Sequence, residues 1–286
     1  MGNVVIVTDS TADIPASLAE DLSIRVVPLK VHFGNETYED GVDLTSEQFY
    51  KKLKEAGTIP TTSQPTPNQF EEAYKKIFKE TGSDIISIHL SSKLSGTFQS
   101  AYIAQQTLGE EVPLEVIDSK RASYAIGVIV VEAAQMAGKG ASKEEIVNRI
   151  NEMLEETSVY FMVDTLEYLQ KNGRIGKASA LVGSLLKIKP ILSLTEEGEV
   201  YPFEKVRGNK KAVQKILSEF TRLYNGKPLH VGISHAEAEK EAEHFMSRMK
   251  EQFDVQQEVI TNIGPVIGTH VGPGTISIAV TPLYRS

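Results

Sequence analysis

The chain has 286 residues, 41% hydrophobic and 24% charged, with a formal net charge of −8. That acidic balance argues against nucleic acid or an anionic membrane as the main partner. The absence of cysteine removes disulfides, thiol catalysis and cysteine-ligated metals together, and fits a reducing compartment.

The N-terminus enters an apolar strand directly, with no basic leader or cleavage pattern, and Gly2 lacks the Ser or Thr at position 6 of a myristoylation signal. The most apolar stretch, Tyr124 to Val131, is interrupted by Glu132 and is too short for a bilayer. The expectation is a cytoplasmic protein with at most peripheral membrane contact.

Val4–Val7 reads as a buried strand that ends in Thr8-Asp9-Ser10-Thr11, ahead of a short helix near Pro15. Polar residues in that place can bind ligands or simply form a turn, and both readings stay open for Asp9 and Ser10. Ile24–Phe33 reads as the second strand. Thr45 with Gln48 makes a capping box for a helix to about Ala56.

The next helix has its own start signal in Thr66, Pro67 and Gln69. Thr61, Thr62 and Ser63 are therefore not needed as caps. They sit in a loop stiffened by Pro60 and Pro65, where they form either a surface turn or a set of positioned hydroxyls.

Asp84–Leu90 reads as a buried strand, and it leads into Ser91-Ser92-Lys93-Leu94-Ser95-Gly96-Thr97 and a helix to about Leu108. This order places Ser91, Ser92, Ser95 and Thr97 around a helix N-terminus, where free backbone N–H groups and the dipole favour an anion. Gly96 allows a ligand to approach the backbone closely. Ser95 could be a plain cap, but four hydroxyls in seven positions exceed what one cap needs.

Leu114–Ile117 is a further strand, and the helix from Tyr124 to Ala137 is apolar almost all round, which predicts a central, buried position. Ser142 and Glu145 cap another helix to about Glu156. Alternating strands and helices over this half imply a parallel, Rossmann-like sheet.

The second half changes character. Val159–Val163 is a strand, and Asp164 with Glu167 opens a short helix that stops at Asn172-Gly173. An Ala/Leu-rich helix through Leu186 follows, then strand Pro190–Thr195 and a hairpin at Glu196-Glu197-Gly198 into Glu199–Arg207. Helix 209–224, strand 229–234, helix 236–251, strand 254–260 and strand 275–281 complete an α+β pattern with a mixed sheet. The expected division is a first domain over 1–157 and a second over 158–286.

Ile263–Gly274, with four Gly and two Pro, reads as a shaped loop carrying one histidine, His270. A lone His in a loop is either solvated or structural, or it donates to an anion or moves a proton.

Other chemistries find little support. There is no Walker loop, Gly272-x-Gly274 lacks the third Gly of a dinucleotide fingerprint, and no G-x-S-x-G elbow occurs. His235 and His244, nine apart on what reads as one Glu-rich helix, do not share a face at metal-ligand spacing. Glu71-Glu72 and Glu155-Glu156 fit helix surfaces. What remains is hydroxyls, His270 and two arginines beside Gly, Arg174 and Arg207, which are either anion contacts or surface ion pairs. This inventory binds an anion and offers no evident nucleophile–base pair, metal or cofactor site.

Several motifs together carry a resemblance: Thr8-Asp9-Ser10-Thr11-Ala12-Asp13-Ile14, Thr62-Ser63-Gln64-Pro65, Ser92 to Thr97, Ile117-Asp118-Ser119, Asn172-Gly173-Arg174-Ile175, Lys189-Pro190-Ile191-Leu192 and Gly268 to Gly274. In this order they resemble the DegV family, fatty-acid-binding subunits of bacterial fatty acid kinase. The resemblance implies two α/β domains with one long-chain fatty acid between them, its carboxylate held by Thr62, Ser95 and His270. Ser63, Ser92, Gly96, Thr97, Thr269, Arg174 and Arg207 are secondary candidates for the same site. It further implies a separate ATP-using kinase subunit and an acyltransferase of phospholipid synthesis as partners, so that the chain carries substrate and is not catalytic alone. An enzyme of small carboxylated or phosphorylated metabolites, with His270 as acid or base, is the competing expectation. A regulatory protein with a vestigial anion site is a third.

Overall fold

The computed structural model describes residues 4–183 and 189–283. The first half contains β1 (Val4–Asp9), α1 (Ala16–Asp21), β2 (Arg25–Val27), β3 (Lys30–Phe33), β4 (Glu36–Glu39), α2 (Ser46–Ala56) and β5 (Thr61–Ser63). It continues with α3 (Pro67–Thr81), β6 (Asp84–His89), α4 (Thr97–Leu108), β7 (Leu114–Asp118), α5 (Tyr124–Gly138) and α6 (Lys143–Glu156). The second half holds β8 (Ser158–Met162), α7 (Glu167–Lys171), β9 (Lys189–Leu194), β10 (Val200–Val206) and α8 (Asn209–Tyr224). Then come β11 (Pro228–His235), α9 (Glu239–Gln252), β12 (Asp254–Asn262), α10 (Pro265–Val271) and β13 (Ile276–Pro282). None of the helices among the described residues is long and apolar enough to cross a membrane.

The fold is α/β. A parallel sheet runs β2-β1-β6-β7, and a mixed sheet runs β10-β9-β8-β13-β11-β12, in which β11 and β12 pair parallel and the other neighbours antiparallel. A small antiparallel sheet, β4-β3-β5, completes the first half.

Helix α5 explains its own composition. It touches β1 of the parallel sheet and β11 and β13 of the mixed sheet. Twelve of its fifteen residues are buried, so no face needs to be polar. Its one buried acid, Glu132, accepts from Arg149 Nε on α6 at 2.6 Å. The largest apolar cluster therefore joins α5 to residues of both sheets, from Ile6 and Ile88 to Val159 and Ala279. All three capping boxes form, at Thr45/Gln48, Thr66/Gln69 and Ser142/Glu145.

Several expectations need correction. Ile24–Phe33 is two strands in two sheets, because Pro28 has no N–H to continue the ladder and the chain turns there. Thr61–Ser63 is not a loop but a strand, paired with His32–Lys30 of β3. The Gly- and Pro-rich stretch after Ile263 folds into α10, with Pro265 in its first turn, where a missing N–H costs nothing. Helix α7 is capped by Leu166 with no side-chain cap bond, and Thr165 Oγ1 accepts the Glu167 amide just before it. His235 ends β11 whereas His244 lies on α9. The described part of the Ala/Leu-rich run is a 3-10 helix over Gly176–Leu181 against β10, and the rest of that expected helix lies largely outside the described residues.

Candidate functional site

Strands β1 and β6 are neighbours in the parallel sheet, with β2 beyond one and β7 beyond the other. Their carboxyl ends are the point where the strand order reverses, and loops part there to leave a crevice. Asp9, at the end of β1, is fully buried and shapes that crevice without facing it. Its carboxylate accepts the Thr11 amide and hydroxyl, the Leu90 amide at 3.0 Å and a contact from His89 Nδ1 at 2.9 Å. Of the two readings open for Asp9 and Ser10, the structure selects the turn-forming one. Ser10 Oγ accepts the Leu29 amide at 3.0 Å.

The loop after β6 coils on itself, with the Leu94 and Ser95 amides both donating to the Ser91 carbonyl. Ser91 is buried, and its hydroxyl reaches across to the Gly198 carbonyl at 2.9 Å, tying the loop to the β9–β10 hairpin. The residue capping α4 is Gly96, one later than expected. Ser95 stands just before it, 2.9 Å from Thr97 Oγ1, and accepts the Thr97 amide at 3.3 Å. A side chain at 96 would run into the carboxamide of Gln64, whose Cδ would lie 2.9 Å from a new Cβ. The space beside Gly96 is thus filled by a protein side chain, which a larger residue at 96 would displace.

Strand alternation sorts the hydroxyls of β5. Thr62 is half-buried, while Thr61 and Ser63 are exposed, and Ser63 Oγ lies 2.8 Å from His32 Nε2 on the outer side. From the opposite direction comes α10, which places His270 Nε2 2.9 Å from Thr62 Oγ1. His270 Nδ1 is buried and has no hydrogen-bond partner among the described residues. Burial, and secondarily the charge of Arg174, push this imidazole down to about 4, so it is neutral at physiological pH.

Thr62, Ser95 and His270 line one cavity, whose empty space, including its opening to solvent, is about 860 Å³. Most of the remaining wall is apolar and comes from both halves of the chain: Leu29 and Leu90 from the first, Val159, Phe161, Leu194 and Ile267 from the second. Arg174 also lines it while remaining exposed, which puts it at the opening. Its guanidinium donates to the Leu94 carbonyl at 3.1 Å and the Asn172 carbonyl at 2.6 Å, spanning the two halves.

The other candidates stand elsewhere. Arg207 is exposed beyond the end of β10 and does not line the cavity. Ser92 is exposed, with its amide directed to Asp118. Thr97 is fully buried and reaches the site only through Ser95. Thr269 is buried, and its hydroxyl donates to the Pro265 carbonyl one turn back. Sequence reasoning missed Gln64, Ser123 and Ser277 on the cavity wall. For Gln64 the signal is Gly96, a residue with a neighbour in its missing Cβ position.

The fold also assembles a nucleophile–base arrangement that no local pattern announces. Ser87 Oγ lies 2.7 Å from His89 Nε2, whose Nδ1 faces Asp9 Oδ2. All three residues are 0% exposed, and Tyr74 of α3 donates its hydroxyl to Ser87 at 2.8 Å. No substrate can reach them, so the chain of bonds serves to anchor α3 and the β6 loop. Among the described residues no group of acids and histidines has the geometry of a metal site.

With this geometry in hand, comparison with known proteins is decisive about kinship. A family model described as "Uncharacterised protein, DegV family" matches residues 3–283. A DegV domain-containing protein of Halalkalibacterium halodurans is 39% identical over 280 residues, covering 98% of each chain. Among solved structures, a DegV family protein of Thermus thermophilus, described by its fatty acid binding, superimposes with a TM-score of 0.90 at 34% identity, covering 98% of this chain and all of that one. DegV of Bacillus subtilis, described as a fatty acid binding protein, gives 0.90 at 36% identity, covering 99% of this chain and all of the other. Sequence, topology and extent agree end to end, and the chain belongs to the DegV family.

Proposed function

We propose that this chain binds one long-chain fatty acid in the cavity, with the carboxylate at Thr62, Ser95 and His270. The observation that carries this reading is that these three side chains, from β5, the β6 loop and α10, line one otherwise mainly apolar cavity, with Thr62 and His270 in hydrogen-bond contact. The two halves, dividing near residue 157, are the walls between which the acyl chain lies. Burial contributes roughly 0.8 kcal/mol per CH₂, so a long chain binds tightly. A carboxylate there needs donors, and two hydroxyls and a neutral imidazole supply them without a buried countercharge.

The bound acid is then presented to a separate ATP-dependent kinase subunit. The acyl phosphate it forms passes to an acyltransferase of phospholipid synthesis, in the cytoplasm. Arg174, at the opening, is placed to steady the added phosphate or the partner. On this reading the chain is a carrier and not catalytic alone.

Mass spectrometry of lipid released from natively purified protein tests the binding step. A stoichiometric fatty acid is the expected result, and protein that neither carries nor takes up any fatty acid overturns the reading. For the carrier role, protein incubated with ATP, magnesium and fatty acid gives no acyl phosphate until a kinase subunit is added.

A further inference from the structure

Helix α10 has only seven residues, too few to hold its own position in water. It is held at both ends. At its C-terminal end, Asn172 Nδ2 donates to the Thr269 carbonyl at 2.9 Å, and Thr62 meets His270. Two carboxyl groups of the first half stand at the other end. Asp13 Oδ1 accepts the amide of Gly264, the residue that caps α10, at 2.9 Å. Asp40 lies beside it and is reached by the Val266 amide and the Ser10 hydroxyl.

Both acids are buried, and neither lines the cavity. The site at Gly264 is built for their approach. A Cβ there would lie 2.7 Å from Asp13 Oδ1 and 3.3 Å from Asp40 Oδ1, although the backbone of Gly264 is of a kind any residue adopts. Glycine is present for space and not for conformation. Asp13 is held in turn by the Ser123 hydroxyl, itself 2.8 Å from Ser234 Oγ, and its carbonyl accepts the Thr261 hydroxyl. It therefore connects β11, β12, α10 and the start of α5.

We propose that Asp13, seconded by Asp40, is a positioning residue for the ligand site: it fixes the N-terminus of α10 and thereby the place of His270 opposite Thr62. This inference rests on the fatty-acid reading for its effect on affinity, but not for its effect on His270.

The test compares Asp13→Ala, Asp13→Asn and Gly264→Ala with the parent protein. The readouts are the His270 ring signals in histidine-labelled protein by NMR, and affinity for a fluorescent long-chain fatty acid. Asp13→Ala loses the acceptor for the Gly264 amide, and Gly264→Ala keeps both acids but drives them off. Each shifts the His270 signals and weakens binding roughly tenfold, while cooperative melting shows that the fold persists. Asp13→Asn keeps an acceptor oxygen and tolerates the left-handed backbone at this position, so it retains both properties. Should Asp13→Ala not fold, Gly264→Ala decides. Unmoved His270 signals in a folded Gly264→Ala or Asp13→Ala protein overturn the proposal, as does an Asp13→Asn protein as impaired as Asp13→Ala. If the parent binds no fatty acid, the functional reading fails, and the His270 signals still decide this inference.

Discussion

Thr62 Oγ1 and His270 Nε2 lie 2.9 Å apart, although 208 positions separate them in the chain. One is on the edge strand of a three-stranded sheet and the other on a seven-residue helix, so neither element would hold its partner in place alone. Each side chain can turn its hydrogen bond to an entering carboxylate. A hydrogen bond to charge is worth about 1.5–3 kcal/mol, so Thr62→Val or His270→Phe weakens fatty acid binding roughly ten- to a hundredfold. Because the two residues act as a unit, the double substitution costs less than the product of the single losses. Calorimetric titration of the three variants checks both points, and strictly multiplicative losses would separate the pair.

Ser95 tests the same site from the side of α4. Gly96, not Ser95, is the cap, and the Ser95 bond to the Thr97 amide is long at 3.3 Å. Ser95→Ala therefore costs stability less than the ~1 kcal/mol of a true cap and lowers affinity about tenfold or more. Thermal melting beside fatty acid titration reads the two effects. A destabilised variant with unchanged affinity makes Ser95 a structural residue.

Two buried groups give the stability opposite pH dependences. Burial holds Asp40 up to about 7 from an ordinary 3.8, so the folded state keeps a proton that the unfolded state has lost. Its contribution is full below pH 4 and is lost as pH rises towards 7. His270, pushed down to about 4 from 6.5, contributes above pH 6.5 and loses that contribution as pH falls to 4. Relative to the parent, Asp40→Asn accordingly gains melting temperature as pH rises from 4 to 7, while His270→Asn loses it from 4 to 6.5. Each tenfold change in proton affinity is about 1.4 kcal/mol, or roughly 2–4 °C for a chain of this size. Parallel curves for parent and variant would show that the group titrates normally.

What the sequence makes legible here is what is local. Helix starts at Thr45, Thr66 and Ser142 are written within four residues each, and the all-apolar face of α5 needs no knowledge of its neighbours. From residue chemistry alone Thr62, Ser95 and His270 could be nominated, but only the family resemblance ranked them above Ser63, Ser92 and Thr269. That sorting depends on which face of β5 meets β3 and which turn of α10 faces the cavity. Helix α10 is hidden because Gly and Pro lower local propensity, and the bonds that hold it, from Asp13 and from the Tyr50 hydroxyl to the Ile263 carbonyl, span more than 200 positions. Ser87, His89 and Asp9 likewise meet only through the pairing of β1 with β6.

That buried trio carries a prediction of its own. Ser87→Ala leaves fatty acid affinity within about twofold, because neither Ser87 nor His89 lines the cavity. It does remove the shorter bonds that the Tyr74 hydroxyl and His89 Nε2 make to Ser87, leaving the 3.3 Å contact between the two, at a cost of about 0.5–1.5 kcal/mol in stability. The parent protein stays unlabelled by a fluorophosphonate probe. Stoichiometric labelling at Ser87 would reopen the hydrolase reading.

Arg174 separates binding from presentation. Its guanidinium is exposed, lines the cavity at the opening and is anchored by two backbone carbonyls, Leu94 and Asn172. On the proposed reading the carboxylate is held by the neutral donors Thr62, Ser95 and His270. Arg174→Ala therefore leaves fatty acid affinity within about twofold, since removing an exposed charge at a rim changes little in the buried contacts. A phosphoryl group added at the opening would have no other arginine on the cavity wall among the described residues, so the same variant slows acyl phosphate formation with the kinase subunit roughly tenfold or more. Arg174→Lys recovers only part of that rate, because a single ammonium cannot reproduce the forked contact. Titration of fatty acid and a phosphorylation time course on the same preparations measure both. Equal losses in the two assays would place Arg174 among the groups that hold the carboxylate and remove its separate role at the opening.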